Sequence, residues 1–403
     1  MKHDEILSLT GEAGVGCPGR LSRRTFMGLA AAGAAGAALS PRLGGQDAAS
    51  TGPPVVKTNI DEAMKIPRGE GAMPGRYPGR VVSIKPGAVS EAGEIDADKV
   101  RRAVDRGMAA LTGEEDRGKA WAKFVTPEDV VGIKVNPIGG NLLSTRPEVV
   151  DAVIEGLRAA GVPDENIVIW DRRLFQLHEA GFTEERFPGL RILGTEMRGP
   201  NGEFYDEAGE LWARDNIDRE VLPYVADLEM EYDRNTLPYM INMGKESYFT
   251  KIATRTCTKI INVPVLKNAG PTVTLCLKNL SYGALSNTSR LHKIWSESVA
   301  QPSAFPCLRD KTVLNVVDGL KACYDGGPGA NPKFIYTADL MYFGTDPVAV
   351  DAVGHEYITR ERIRRGVQEF EDKRRRAFLE IASELGLGVS DRAKIDFVEI
   401  KEG

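Results

Sequence analysis

Residues 129 to 171 constrain the fold more than any other stretch of this 403-residue chain. "DVVGIKVN" (129–136) is a short β-rich run. Ser144 and Thr145 then offer capping oxygens, and Pro147 suits a first helical turn. Val149, Val150, Val153, Ile154 and Leu157 mark one helical face, which Gly161 ends, and "IVIWD" (167–171) is the next strand. A strand, a helix and a strand at these lengths form a parallel crossover, expected to be right-handed.

Similar runs follow. "KIINVPVL" (259–266) and "TVLNVVD" (312–318) read as further strands, and "FIYTADLMYF" (334–343) as one or two more. A helix is predicted from "TDPVAVDAV", with Asp346 as N-cap and Pro347 in the first turn. A long amphipathic helix over 362–386 and an edge strand at "KIDFVEI" (394–400) complete the pattern. The expected class is therefore α/β: a mostly parallel sheet with helices on both faces, a C-terminal helix, and an inserted lobe or lid at 196–250. The α/β domain is read as 81–403. Residues 41–80, rich in Pro and Gly, read as an extended arm.

The amino terminus carries an address. In "LSRRTFMGLAAAGAAGAALS", Arg23-Arg24 precede a weakly apolar stretch from Phe26 to Leu39, and small residues suited to cleavage follow. Residues 1–40 thus resemble a twin-arginine export signal, with cleavage between Ala38 and Ser50. The expected partner is the twin-arginine translocase, and the expected location is periplasmic or extracytoplasmic. A basic turn before an Ala-rich helix is the plainer alternative. No apolar run approaches the roughly 20 residues of a spanning helix, so no membrane span is expected in the mature chain. A net charge of -5 argues against nucleic acid as a partner. Past the signal, Cys257, Cys276, Cys307 and Cys323 remain without a CxxC, so no zinc-ribbon or iron-sulfur cluster motif is present. They are read as buried thiols or as two disulfides.

The chemical puzzle is "PVLKNAGPTVTLCLKNLSYGALS" (264–286), where Lys267-Asn268 and Lys278-Asn279 interrupt apolar, β-prone sequence. Lysine is rarely buried without a partner. The predicted strand ends also supply Lys134 and Asn136, Asp171, and Asp318, and ligands of open α/β sheets bind outside the carboxyl ends of strands. These side chains are expected to meet in one crevice that holds a small anionic ligand or cofactor. Lys267, Lys278, His292 and Asp171 are the catalytic candidates; Lys134, Asn136, Asn279, Arg290 and Asp318 are the ligand-binding ones. Lysine supplies fixed charge or, when desolvated, a base. The alternative is that the lysines reach the surface or pair structurally with Asp171 and Asp318. Asp351 and His355, at i and i+4 on a predicted helix, are weak metal candidates. "DGGPGANP" (325–332) reads as a turn that could also show amides to an anion. GxSxG, GxxxxGK[ST] and HExxH are absent.

"VGIKVN", "STRPEVVDAVIEGLRAAG", "IINVPVLKN", "VTLCLKNLSYG", "NTSRLHK", "VVDGL" and "GTDPVAVDAV", in this order over 128–357, resemble the domain of unknown function 362 family. The resemblance carries over Lys134, Asn136, Lys267, Lys278, Asn279, Arg290, His292, Asp318, Asp346 and Asp351. It implies a redox or iron-sulfur association without an assigned activity. Relatives place a histidine soon after Lys267, where this chain reads Asn268-Ala269-Gly270, and their cluster cysteines are missing here. The functional expectation is an exported protein that binds a small anion or cofactor in this crevice, in its narrower form as a redox-linked enzyme. The alternatives are a non-catalytic exported binding or maturation factor and a degenerate member with a structural role.

Overall fold

The computed structural model describes residues 56–197, 214–228, 245–270, 272–367 and 376–400; residues 1–40, where an export signal is expected, lie outside them. Its frame is a ten-stranded sheet. In chain order the strands are β1 (Arg80–Ile84), β2 (Val131–Lys134), β3 (Ile167–Arg173), β4 (Arg191–Glu196) and β5 (Lys259–Asn262). Then come β6 (Val265–Ala269), β7 (Thr272–Thr274), β8 (Thr312–Cys323), β9 (Ile335–Gly344) and β10 (Asp396–Ile400). The spatial order is β10-β1-β9-β8-β5-β2-β3-β4, with β6 beside β8 and β7 beside β6. Pairing is parallel except for β1–β9, β9–β8 and β6–β7. The mostly parallel α/β architecture read from the sequence is the one present.

Four helices matter most: α1 (Ala97–Thr112), α2 (Pro147–Ala159), α3 (Cys276–Ala284) and α4 (Pro347–Arg364). Alternation along β3 separates two cores. Ile167 and Ile169 pack with the apolar faces of α1 and α2, while Val168 and Trp170 pack with α3 and α4. Burial on both faces explains why these strands read as nearly continuous apolar runs.

Local detail departs from expectation where a side chain is used elsewhere. Thr145 does not cap α2: its hydroxyl donates to the Val263 carbonyl (2.7 Å) and accepts from the Asn136 amide (2.8 Å). Arg146 is the cap residue, and its own amide donates to Asp318 (2.7 Å). "KIINVPVL" is two strands, because Pro264 has no N–H to give a ladder. Its carbonyl still accepts from the Asp318 amide (2.8 Å), so β8 runs past β5 and continues along β6. "FIYTADLMYF" is one strand, antiparallel to β8.

The helix expected over 362–386 is interrupted. The α4 helix ends at Arg364, Gly366 takes φ +75°, and a separate helix spans Ala377–Glu384. Residues 56–80 do not form a free arm. Lys57–Thr58 pairs with Tyr224–Asp227, Ile60–Met64 is a short helix, and Met73 is fully buried. Arg309 holds this segment through the carbonyls of Ile66 (3.2 Å) and Pro67 (2.7 Å). Of the inserted stretch, the described parts form two small sheets with neighbouring segments; residues 198–213 and 229–244 lie outside the description. Cys257, Cys276, Cys307 and Cys323 are free thiols. Among the described residues no helix is long and apolar enough to cross a membrane.

Asp346 ties the C-terminal segments to the sheet. Its carboxylate caps α4 through the amides of Val348 (3.0 Å) and Ala349 (2.9 Å). It also accepts from Gly79 (2.9 Å) and Val389 (3.0 Å). Asp346→Ala removes a cap and strands buried donors, so unfolding free energy should fall by roughly 3 kcal/mol in urea denaturation. A loss below about 0.5 kcal/mol, the scale of an ordinary surface change, would show that the carboxylate is not the tie.

Candidate functional site

The register of three adjacent strands sets the floor of the site. Asn315 of β8 lies opposite Asn262 of β5, and Asn262 lies opposite Lys134 of β2. All three side chains are fully buried. Helix α3 covers this row, and it is buried on nearly every side, so its polar residues must find partners within the protein.

Asn279 is the joint. Its Oδ1 accepts from Lys134 Nζ (3.2 Å) and Asn136 Nδ2 (3.0 Å), and its Nδ2 donates to Asn262 Oδ1 (2.8 Å). Asn262 Nδ2 donates in turn to Asn315 Oδ1 (2.9 Å) and the Cys276 carbonyl (3.2 Å). Lys134 Nζ forms a buried ion pair with Asp171 and donates to the Val135 carbonyl (2.7 Å). Burial pushes the Lys134 ammonium down and Asp171 pulls it back. Gly283 makes room for this pair: a methyl group there would collide with the Lys134 side chain.

Lys267 joins the same network from β6. Its Nζ donates to Asn136 Oδ1 (2.9 Å), the Ile138 carbonyl (2.7 Å) and the Leu143 carbonyl (3.4 Å). Those acceptors use all three donors of an ammonium, but none of them is a carboxylate. Burial therefore lowers its pKa to about 7, helped by the charge of Lys278.

Lys278 is different. Only 6% exposed, it has no hydrogen-bond acceptor and no carboxylate partner among the described residues. Its Nζ lies 4.7 Å from the Trp295 ring centroid and 5.0 Å from that of Tyr282. Burial lowers its pKa to about 8. Trp295 Nε1 is likewise buried with no partner among the described residues. His292 packs on Tyr282 (4.9 Å between centroids) and Trp295 (5.6 Å), with an exposed edge. Its Nδ1 faces the carbonyls of Thr288 (3.1 Å) and Ser289 (3.2 Å). Carbonyls only accept, so Nδ1 carries the proton and Nε2 the lone pair of the neutral ring. Ring burial, then the Lys278 charge, holds the imidazole below its usual range. Lys278, Tyr282, His292 and Trp295 thus form one cluster beside the closed network, with two buried donors lacking acceptors among the described residues and one exposed ring.

The structure therefore brings together Lys134, Asn136, Asp171, Lys267 and Asn279, with Lys278 and His292 as a neighbouring group. Other candidates have different employment. Arg290 is buried and donates to the carbonyls of Ala226 (2.8 Å) and Lys245 and to the Ser247 hydroxyl (2.9 Å), so it clamps the inserted segment. Asp318 accepts the amides of Arg146 (2.7 Å) and Leu320 (3.0 Å), stitching β8 to the start of α2; burial raises its pKa to about 6. Asp351 caps α3 through the amides of Cys276 (2.6 Å) and Leu277 (3.0 Å), and burial raises its pKa to about 7. His355 lies one turn further on, and among the described residues no three His, Cys, Asp or Glu side chains are grouped to hold a metal. Sequence reasoning passed over Asn262, Asn315, Tyr282 and Trp295. A lone Asn inside each apolar strand was the available signal for the first two; Tyr282 and Trp295 carry no comparable local signal.

The polar residues shared by β2, β3, β6 and α3 lie within a longer match. Residues 131–356 fit the model of a Domain of unknown function (DUF362). The chain belongs to that family. A comparison with curated proteins finds no match. The DUF362 region runs from β2 into α4 and contains the whole network and the aromatic cluster of Tyr282, His292 and Trp295. The stretch Asn268-Ala269-Gly270, where the resemblance led to the expectation of a histidine, covers the end of β6. Asn268 points away from the lysines and staples the β6–β7 hairpin to the 325–332 turn. It donates to the carbonyls of Gly270 (3.3 Å) and Thr272 (3.0 Å) and accepts from the Gly327 amide (3.1 Å).

Removing one partner of the buried pair should be costly while removing both should not. Asp171→Asn leaves Lys134 charged among amides and should cost about 3–5 kcal/mol in urea denaturation. Lys134→Met combined with Asp171→Leu should recover most of that loss. A single-variant cost under about 1 kcal/mol, the level of an exposed pair, would show that the pair is not closed to water.

Proposed function

We propose that this DUF362 protein is an exported binder of a small anion, which enters at the aromatic cluster and is met by Lys278. The observation that carries the reading is the Lys278 ammonium, nearly buried and without an acceptor among the described residues. A desolvated charge held this way is costly until an anion joins it. Trp295 Nε1, also without an acceptor there, offers the anion a second donor. Beneath them Lys267 and Lys134 add positive potential, of which Asp171 offsets one charge. In this reading Lys134, Asn136, Asp171, Lys267 and Asn279 hold α3 in place rather than touching the ligand. His292, with a fixed Nδ1–H and a free Nε2, is the group able to move a proton if the bound anion reacts. A redox-linked enzyme is the narrower form of the proposal; it requires that the anion be a redox cofactor. The export half rests on Arg23-Arg24 and the weakly apolar segment after them.

Native mass spectrometry of protein taken from the periplasm should show a bound organic anion. In calorimetry with acetate, oxalate and phosphate, Lys278→Met should weaken the preferred anion by roughly tenfold to a hundredfold, the value of a hydrogen bond to a charged group. The ammonium is the form that binds, and it is lost as pH rises through about 8. Affinity should therefore fall up to about tenfold per pH unit above 8 and level off below it. Unchanged binding in Lys278→Met, or no pH dependence between 7 and 10, would end the assignment.

Export is tested separately. Arg23→Lys with Arg24→Lys should leave the protein in the cytoplasm on cell fractionation, where the unmodified chain is found outside it. Equal distribution of the two would remove the twin-arginine reading.

A further inference from the structure

The Lys278 amine has a second chemical capacity that does not require the anion reading. Three features set it apart from an ordinary surface lysine. Its nitrogen makes no hydrogen bond or ion pair among the described residues. It is flanked by the rings of Tyr282 (5.0 Å) and Trp295 (4.7 Å), both half-buried, which offer flat faces to an organic group. His292 touches the same two rings, and its Nδ1–H bonds leave Nε2 free to exchange protons.

We propose that Lys278 is a covalent site for small carbonyl compounds, condensing with an aldehyde or ketone to form an iminium. The ammonium of Lys278 loses one proton to solvent, and the freed lone pair bonds to the carbonyl carbon. The carbonyl π pair moves onto oxygen, which takes a second proton from the nitrogen, giving a carbinolamine. One proton returns from solvent to that hydroxyl, the C–O bond breaks, water leaves, and the nitrogen lone pair closes the C=N bond. Ammonium and carbonyl have become iminium and water, with no oxidant or reductant consumed. The positive charge stays between Tyr282 and Trp295 throughout, where both ring faces favour it. The surroundings also supply the free amine. Burial places the Lys278 pKa at about 8, so near neutral pH a far larger fraction is unprotonated than for an exposed lysine. Lys267, similarly perturbed, cannot compete, because its nitrogen is occupied by Asn136, Ile138 and Leu143.

The test is reductive trapping of the purified mature protein at pH 7.5 with limiting propionaldehyde or glyoxylate and cyanoborohydride, followed by peptide mapping. Lys278 should be alkylated at least about tenfold faster than its exposed neighbour Lys293, given its larger free-amine fraction. Lys278→Arg should remove that adduct and leave the others. Propionaldehyde carries no charge, so its capture does not depend on anion binding. A preference for glyoxylate over propionaldehyde at Lys278, absent at Lys293, is expected only if the anion reading also holds. Lys278 unmodified by both probes, or modified no faster than Lys293, would overturn the proposal, and this mapping of the unsubstituted protein needs no variant to fold.

Discussion

The structure depends on how one helix, buried on nearly all sides, satisfies its polar groups. Helix α3 lies on the carboxyl ends of β2 and β5 with Lys278 and Asn279 in the middle of it. A buried amide without partners is expensive, and a buried ammonium more so. Asn279 meets the cost through Lys134, Asn136 and Asn262, and the Lys134 charge is met by Asp171. Once these bonds are made, α3 has one position over the sheet. Gly283 is part of the same constraint, since Lys134 occupies the space its side chain would need. Asp351, reaching from α4, fixes the other end of the helix by taking its first amides.

That closure separates the lysines into two kinds. Lys134 and Lys267 are inside the network, with every donor used, and their chemistry is to hold backbone and amides together. Lys278, one helix position before Asn279, turns the other way into aromatic rings and keeps its donors. A rigid floor is what a binding lysine requires: the charge cannot retreat into water or fold onto a nearby carboxylate, so its desolvation is available to a guest.

Much of the frame was legible because period and punctuation are local properties. The 129–171 crossover, the Asp346-Pro347 helix start and the final edge strand stand where the pattern put them. Two errors share one cause, which is that a polar residue's local role was outbid by a distant partner. Thr145 serves Val263 instead of capping α2, and Arg290 grips the backbone of the inserted segment instead of facing the lysines. Pro264 divides a run that looked continuous, and Gly366 divides a helix that looked continuous. Asn262 and Asn315 were missed because one asparagine in an apolar strand says nothing until its cross-strand neighbour is known.

By itself the sequence determined the fold class and the presence of paired lysines and asparagines in apolar segments, and it carries an amino-terminal pattern that resembles an export signal. Those follow from residue order over a few turns or strands. Which lysine is enclosed and which is left for a ligand was decided only by tertiary structure. Strand register aligns Asn315, Asn262 and Lys134, and the packing of α3 then points Asn279 toward that row and Lys278 toward Trp295. Charge satisfaction is a property of three-dimensional neighbours, and residues up to 145 positions apart make this network.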